Sequence, residues 1–255
     1  MGEVVDVFAR GMRRRVWVAG PSVVGLVLAL GLPACRTPAP GPAGPQGPAA
    51  VPAAPREAGI ALRVDTERSL LTILVHRGGP LARLGHNHVI AVRSLAGVVR
   101  LARERESSTF ELRLAVAQFT VDEEALRALE GPDFAAPVPD DARSGTRRNM
   151  LSEALLDGEH YPDIVLRSQR IARTPEGFQV TIAIGLKGLA RSISLPVHIE
   201  ESDGGLIATG ETPLLQSALG LEPFSVMLGA LRVEDELRVR FRVLARPAAA
   251  DTGRG

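Results

Sequence analysis

The 255 residues carry 30 Lys and Arg against 29 Asp and Glu, a formal net charge of +1, so a nucleic-acid footprint built on clustered basic charge has no compositional support. The one cysteine, Cys35, excludes an intrachain disulfide and a structural zinc site made of thiolates. Because the first quarter differs in composition from the rest, the remainder suits one domain of moderate size.

Met12-Arg13-Arg14-Arg15 reads as a basic n-region and residues 23–30 as the centre of an apolar h-region, while Leu32-Pro33-Ala34-Cys35 looks like the lipobox of a bacterial lipoprotein signal. Pro21, Gly31 and Pro33 leave the apolar run short of the roughly 20 residues that spanning requires. Residues 1–35 are therefore expected to be a signal peptide ending in a lipidated Cys35; a plain secretory signal and a membrane anchor are the alternatives. Arg36, rather than Asp, follows the cysteine, and by resemblance to enterobacterial sorting this places the lipid-anchored protein on the periplasmic face of the envelope, at the outer membrane. Residues 36–59 are rich in Pro, Ala and Gly and cannot bury enough surface to offset ordering, so they read as a disordered tether, whose stretch from Arg36 to Pro55 reaches up to about 60 Å at ~3.1 Å per residue.

After Gly59 the pattern alternates. Ile60, Leu62 and Val64 share one strand face and Leu71, Ile73 and Val75 another, which predicts a hairpin turning at Thr66-Glu67-Arg68-Ser69. Arg77-Gly78-Gly79-Pro80 ends the second strand, and Gly85-His86-Asn87-His88 opens a third. Period 2 puts His86 and His88 on one face if the strand has begun by His86. The pair reads as two ligands of a Zn²⁺ or Cu²⁺ site, with His76 the nearby candidate for a third, or as a solvated pair in a loop.

Residues 107–119 predict a strand with Phe110, Leu112, Leu114 and Val116 on its buried face and Glu111 and Arg113 on its wet one. The period then changes: a short helix is expected over 122–129, a Pro-rich loop over 131–141 and a second helix over 144–156. Asp122-Glu123-Glu124 would complement the first helix's dipole. Alternation returns at Ile164 and Leu166, at Phe178, Val180, Ile182 and Ile184, at Ile193, Leu195, Val197 and Ile199, at 206–209, and at Leu237, Val239, Phe241 and Val243. About eight strands without crossover helices favour a closed antiparallel barrel or a sandwich.

Four motifs carry a family resemblance over residues 60–245. They are Tyr161-Pro162-Asp163-Ile164-Val165-Leu166-Arg167-Ser168, the hairpin from Gly185 to Val197 around Lys187-Gly188-Leu189-Ala190, Ser217-Ala218-Leu219-Gly220-Leu221, and Val233-Glu234-Asp235-Glu236-Leu237-Arg238-Val239. In this order, with the Gly85-His86 segment before them, they resemble the YceI-like polyisoprenoid-binding family. The resemblance implies an all-β fold, an eight-stranded antiparallel lipocalin-like barrel over 60–246 with a helical excursion between strands, followed by a disordered tail at 247–255. It further implies a lumen holding a long-chain isoprenoid lipid or quinone, with no cofactor required.

On that reading Phe110, Leu112, Leu114, Val116, Phe178, Val180, Ile182, Ile184, Leu195, Val239 and Phe241 are the lumen candidates, and His86, Asn87, His88 and Arg191 the head-group or mouth candidates. Arg147 and Arg148 are further cations that a pyrophosphate head could meet. No nucleophile elbow, P-loop or His-Glu-x-x-His motif is present, so no enzyme activity is expected. The alternative is a metal-binding or structural envelope protein that uses His86 and His88 without a lumen lipid.

Overall fold

The computed structural model describes residues 59–202 and 205–247; the expected signal peptide, the tether up to residue 58 and the tail beyond 247 lie outside them. The strands are β1 (Ile60–Val64), β2 (Leu70–Gly78), β3 (His88–Val92), β4 (Leu95–Leu101), β5 (Thr109–Ala115), β6 (Thr120–Val121), β7 (Asp163–Thr174), β8 (Gly177–Leu186), β9 (Leu189–Ser202), β10 (Gly205–Leu215), β11 (Ser225–Val226) and β12 (Leu231–Pro247). They form one closed antiparallel barrel of eight staves. Following hydrogen bonds, β1 pairs β4, then come β5, β7, β8, β9, β10 and β12, and β12 returns to β1.

The first three staves are each broken in the middle. β1 and β2 lie end to end along β12, which pairs β1 through Ala245, Arg246 and Pro247 and β2 through Arg232 to Arg242. The hairpin expected at Thr66–Ser69 is therefore not made. That polar segment is stitched into the wall instead: Asp65 N–H donates to Leu244 O at 2.8 Å, Leu244 N–H donates to Ser69 Oγ at 3.0 Å, and Thr66 Oγ1 donates to Leu95 O at 2.8 Å. β3 and β4 likewise form one bent stave, as do β5 and β6, where a 3-10 turn at Val116–Gln118 replaces the end of the strand expected to run to Phe119. Gly97 lets the bent wall close up, since a Cβ there would stand 2.2 Å from Glu111 O on β5.

The excursion between β6 and β7 holds two helices, α1 (Glu124–Arg127) and α2 (Asp140–Leu151). Helix α2 starts and stops earlier than its apolar pattern predicts. Pro139 sets the N-terminus with Asp140 and Asp141 in the first turn, and Ser152 leaves the helix in an extended conformation. Part of the excursion packs on the outside of the barrel, where Phe134 joins Leu74 and Val89 with Leu126 against them, and Arg240 of β12 holds Glu130 at 3.0 Å. All five residues of β3 are consequently buried, with lumen on one side and excursion on the other, which is why His88–Val92 reads as a continuous apolar run and not an alternating one.

Candidate functional site

An eight-stranded barrel is just wide enough to be filled by its own side chains or to keep one small ligand. Here the inward residues leave a cavity of about 590 Å³. Cross-strand register builds its wall: Leu112 faces Leu166, Leu166 faces Ile184, Ile182 faces Ile193, Val180 faces Leu195 and Phe178 faces Val197. Of the lumen candidates, Phe110, Leu112, Leu114, Phe178, Val180, Ile182, Ile184, Leu195, Val239 and Phe241 line the cavity. Val116 does not. It starts the 3-10 turn after β5, where the backbone leaves the period-2 pattern, and it is buried in the core without reaching the cavity lining.

The mouth is defined by the lining residues that also reach solvent. Arg77 of β2, Asn149 of α2, Phe224 before β11 and Arg232 of β12 are both exposed and in the wall, and all stand at the end where β2, β8 and β10 finish and β3, β9 and β12 begin. Met150, Leu155 and Leu156 from the excursion cover part of this end.

Just inside lies a buried polar cluster from three elements. The side chain of Asp122 has no exposed surface, and its carboxylate accepts from Val89 N–H at 2.9 Å, from His88 Nδ1 at 2.7 Å and from Arg127 Nη1 at 2.6 Å. Burial pushes the Asp122 carboxyl up, but these donors outweigh it and hold the group below the usual carboxylate range. Arg127 also donates to Asn87 O, Phe134 O and Ala136 O, so its charge is matched by one carboxylate and three carbonyls. With His88 Nδ1–H directed at Asp122, the other ring nitrogen, Nε2, lies 3.1 Å from Thr146 Oγ1 on α2. Both His88 and Thr146 line the cavity, as does His86, whose ring centroid is 6.2 Å from that of His88. Burial, followed by the neighbouring His88, Arg77 and Arg127, pushes the His86 imidazole below its usual value.

His86 precedes β3, so the shared position of the two imidazoles comes from the loop that delivers them and not from strand period. Asn87 is not in the wall. Its Oδ1 accepts from Arg77 N–H and its Nδ2 donates to Asp133 O, each at 3.0 Å, which ties β2 to the excursion. Arg191 sits opposite Ile184 in register but at the mouth end of β9, exposed beside Gly220 and outside the cavity lining. Arg147 turns away to donate to Ala117 O. His76, proposed as a third metal ligand, meets Phe134 edge-on at 5.3 Å, and no group of three metal-binding side chains assembles among the described residues.

Asp122, Arg127 and Thr146 were not singled out from sequence as site residues. Asp122 is the first acid of a run that looks like a helix N-terminus, but its backbone has φ 57° and its side chain turns inward, while helix α1 starts only at Glu124. The arrangement orients the His88 ring and presents a hydrogen-bonding station in a largely apolar chamber.

A closed barrel whose inward residues leave a largely apolar cavity is an architecture able to enclose one ligand. Residues 63–245 match the family model described as YceI-like domain, and the chain belongs to that family. Comparison with curated proteins returns no match. Among solved structures, the chain is similar to Burkholderia cenocepacia BcnA at 16% identity, over 71% of this chain and 98% of that one, with a TM-score of 0.53. It also resembles a polyisoprenoid binding domain from Saccharophagus degradans, at 13% identity over 74% and 99% of the two chains with a TM-score of 0.48. A Campylobacter jejuni YCEI protein matches at 10% identity, over 63% and 85%, with a TM-score of 0.44.

Proposed function

We propose that the barrel binds one long-chain isoprenoid or similar lipid, its tail in the lumen and its polar head at the His86, His88 and Thr146 end. The observation that carries this reading is the largely apolar cavity of about 590 Å³, a size typical of ligand sites, with His86, His88 and Thr146 at its open end. Burying about 600 Å² of prenyl chain at ~25 cal/mol per Å² yields about 15 kcal/mol before the costs of association, so the tail supplies affinity and the mouth supplies discrimination. The signal and lipobox pattern ending at Cys35 support a lipid-anchored protein of the bacterial envelope, with the barrel in the periplasm.

Uptake of a dansylated polyprenol by the full chain, titrated by fluorescence, tests the reading together with Ile182→Trp. Ile182 is buried in the cavity wall, and an indole placed there fills space that the tail requires. Saturable uptake by the wild type, lost in Ile182→Trp with apoprotein stability nearly unchanged, is the expected result. A loss of about 1 to 3 kcal/mol in the variant apoprotein, the cost of overpacking a solid core, together with no uptake by the wild type, would show that the barrel is packed shut.

A further inference from the structure

The barrel end that opens carries apolar surface that the lumen does not use. The connection from β10 to β12 folds back as the short strand β11 and ends in a turn at Met227–Gly229. Met227, Leu228 and Gly229 all have positive φ, 53°, 54° and 87°, a left-handed conformation that side-chain-bearing residues adopt at a cost. The cost holds out apolar side chains. Leu228 is fully exposed, Met227, Val226 and Phe224 are exposed around it, and Leu84 joins them from the turn at Ala82–Leu84. The two turns are joined at one lip of the mouth by Leu81 N–H donating to Ala230 O at 2.8 Å.

Two observations select the occupant. Phe224 and Leu231, on either side of the turn, belong both to this lip and to the cavity wall, so the same connection presents apolar side chains outward at Leu228 and inward to the lumen. Exposed arginines flank the tip: Arg77, Arg83 and Arg232 stand beside it, while of the acids in the same connection and at the start of β12, Glu222, Glu234, Asp235 and Glu236, Glu234 lies 3.7 Å from Arg232 and Asp235 is taken up by Ser217. A convex apolar tip beside basic side chains matches the interfacial zone of a bilayer, where acyl chains take the tip and anionic phosphates meet the arginines.

We infer that the Phe224–Leu228 turn, with Leu84 beside it, is a prong that enters the outer layer of a lipid membrane and holds the mouth against it, so that a lipid passes between bilayer and lumen without crossing water. This rests on the lumen reading above. The transfer half of the inference depends on it and the docking half does not.

The test uses the full chain carrying Cys35→Ser, to remove the expected acyl anchor, and Trp17→Phe, to remove the only natural tryptophan. Leu228→Trp in that background is mixed with vesicles of phosphatidylcholine and phosphatidylglycerol brominated on the acyl chains. Quenching of the introduced tryptophan that grows with the anionic fraction is expected; a tryptophan that stays in water at every composition overturns the inference. Leu228→Asp serves as the second variant, because Asp visits left-handed backbone more readily than Leu and leaves the turn intact. It is expected to slow transfer of the dansylated polyprenol from vesicles at least tenfold while leaving uptake from detergent micelles unchanged.

Equal vesicle transfer rates in wild type and Leu228→Asp also overturn the inference. Failure of the wild type to take the probe from micelles, with the introduced tryptophan of Leu228→Trp still quenched by vesicles, defeats the lumen reading and leaves the docking surface standing. Self-association in sedimentation that Leu228→Asp abolishes, without vesicle quenching, would assign the prong to a second copy of the chain and refute the membrane.

Discussion

Removing the Asp122 carboxylate tests whether the polar cluster organises the mouth. In Asp122→Ala, Val89 N–H and His88 Nδ1 lose their acceptor and Arg127 keeps a buried charge with only the carbonyls of Asn87, Phe134 and Ala136 around it. Breaking a buried pair from one side costs about 3 to 5 kcal/mol. The three remaining carbonyls place this case toward about 3 kcal/mol, and alanine at φ 57° adds about 1 kcal/mol of left-handed strain. A total of about 4 kcal/mol lowers Tm by roughly 8 to 16 °C in a domain of this size. Asp122→Asn keeps an acceptor for Val89 and tolerates the backbone, so about half that loss is expected.

The assay is thermal and urea unfolding of the full chain at several pH values. The folded carboxyl titrates below its unfolded value, so its contribution is present above the ordinary Asp pKa of about 3.9 and is lost as pH falls through the lower folded pKa. The gap between wild type and Asp122→Asn should accordingly narrow on acidification from pH 5 toward pH 2. A loss under about 1 kcal/mol in Asp122→Ala, or a gap that widens with acid, would refute the reasoning.

Two further outcomes are expected. Cys35→Ser should move the protein from the membrane to the soluble periplasmic fraction, and unchanged membrane association on fractionation would remove the lipidation proposal. Leu228→Asn should raise the unfolding midpoint, since relief of left-handed strain at an exposed site is worth about 1 kcal/mol; a lower midpoint would mean that Leu228 packs against something in the folded state.

The staves from β7 to β12 were legible because their outward positions are polar or small, so period 2 survives in the sequence at Phe178–Ile184, Ile193–Ile199 and Leu237–Val243. The broken staves were not. A polar tetrapeptide such as Thr66–Ser69 serves a hairpin or a kink equally well, and the choice lies with Leu244 and Leu95, acceptors and donors far away in the chain. The third strand expected to open at Gly85–His88 is there as β3, but it shows no alternation because the excursion covers its outer face. At the site, all but one of the lumen candidates that alternation picked out lie in the cavity wall, the exception being Val116, where the backbone turns; alternation carries no information on whether inward residues meet one another or enclose space. The partners of His88 were beyond reach for the same reason. Asp122, Arg127 and Thr146 look like ordinary positions of short amphipathic helices, and only the folding of the excursion over β3 brings them to the imidazole.

Mass spectrometry of an organic extract of the full chain, purified from its native membrane without added lipid, addresses the central claim most directly. The account predicts one polyisoprenoid-class lipid in near-stoichiometric amount, absent from the extract of Ile182→Trp prepared in the same way. An extract without lipid, or one in which wild type and Ile182→Trp carry the same bulk membrane phospholipids in the same proportion, would contradict it.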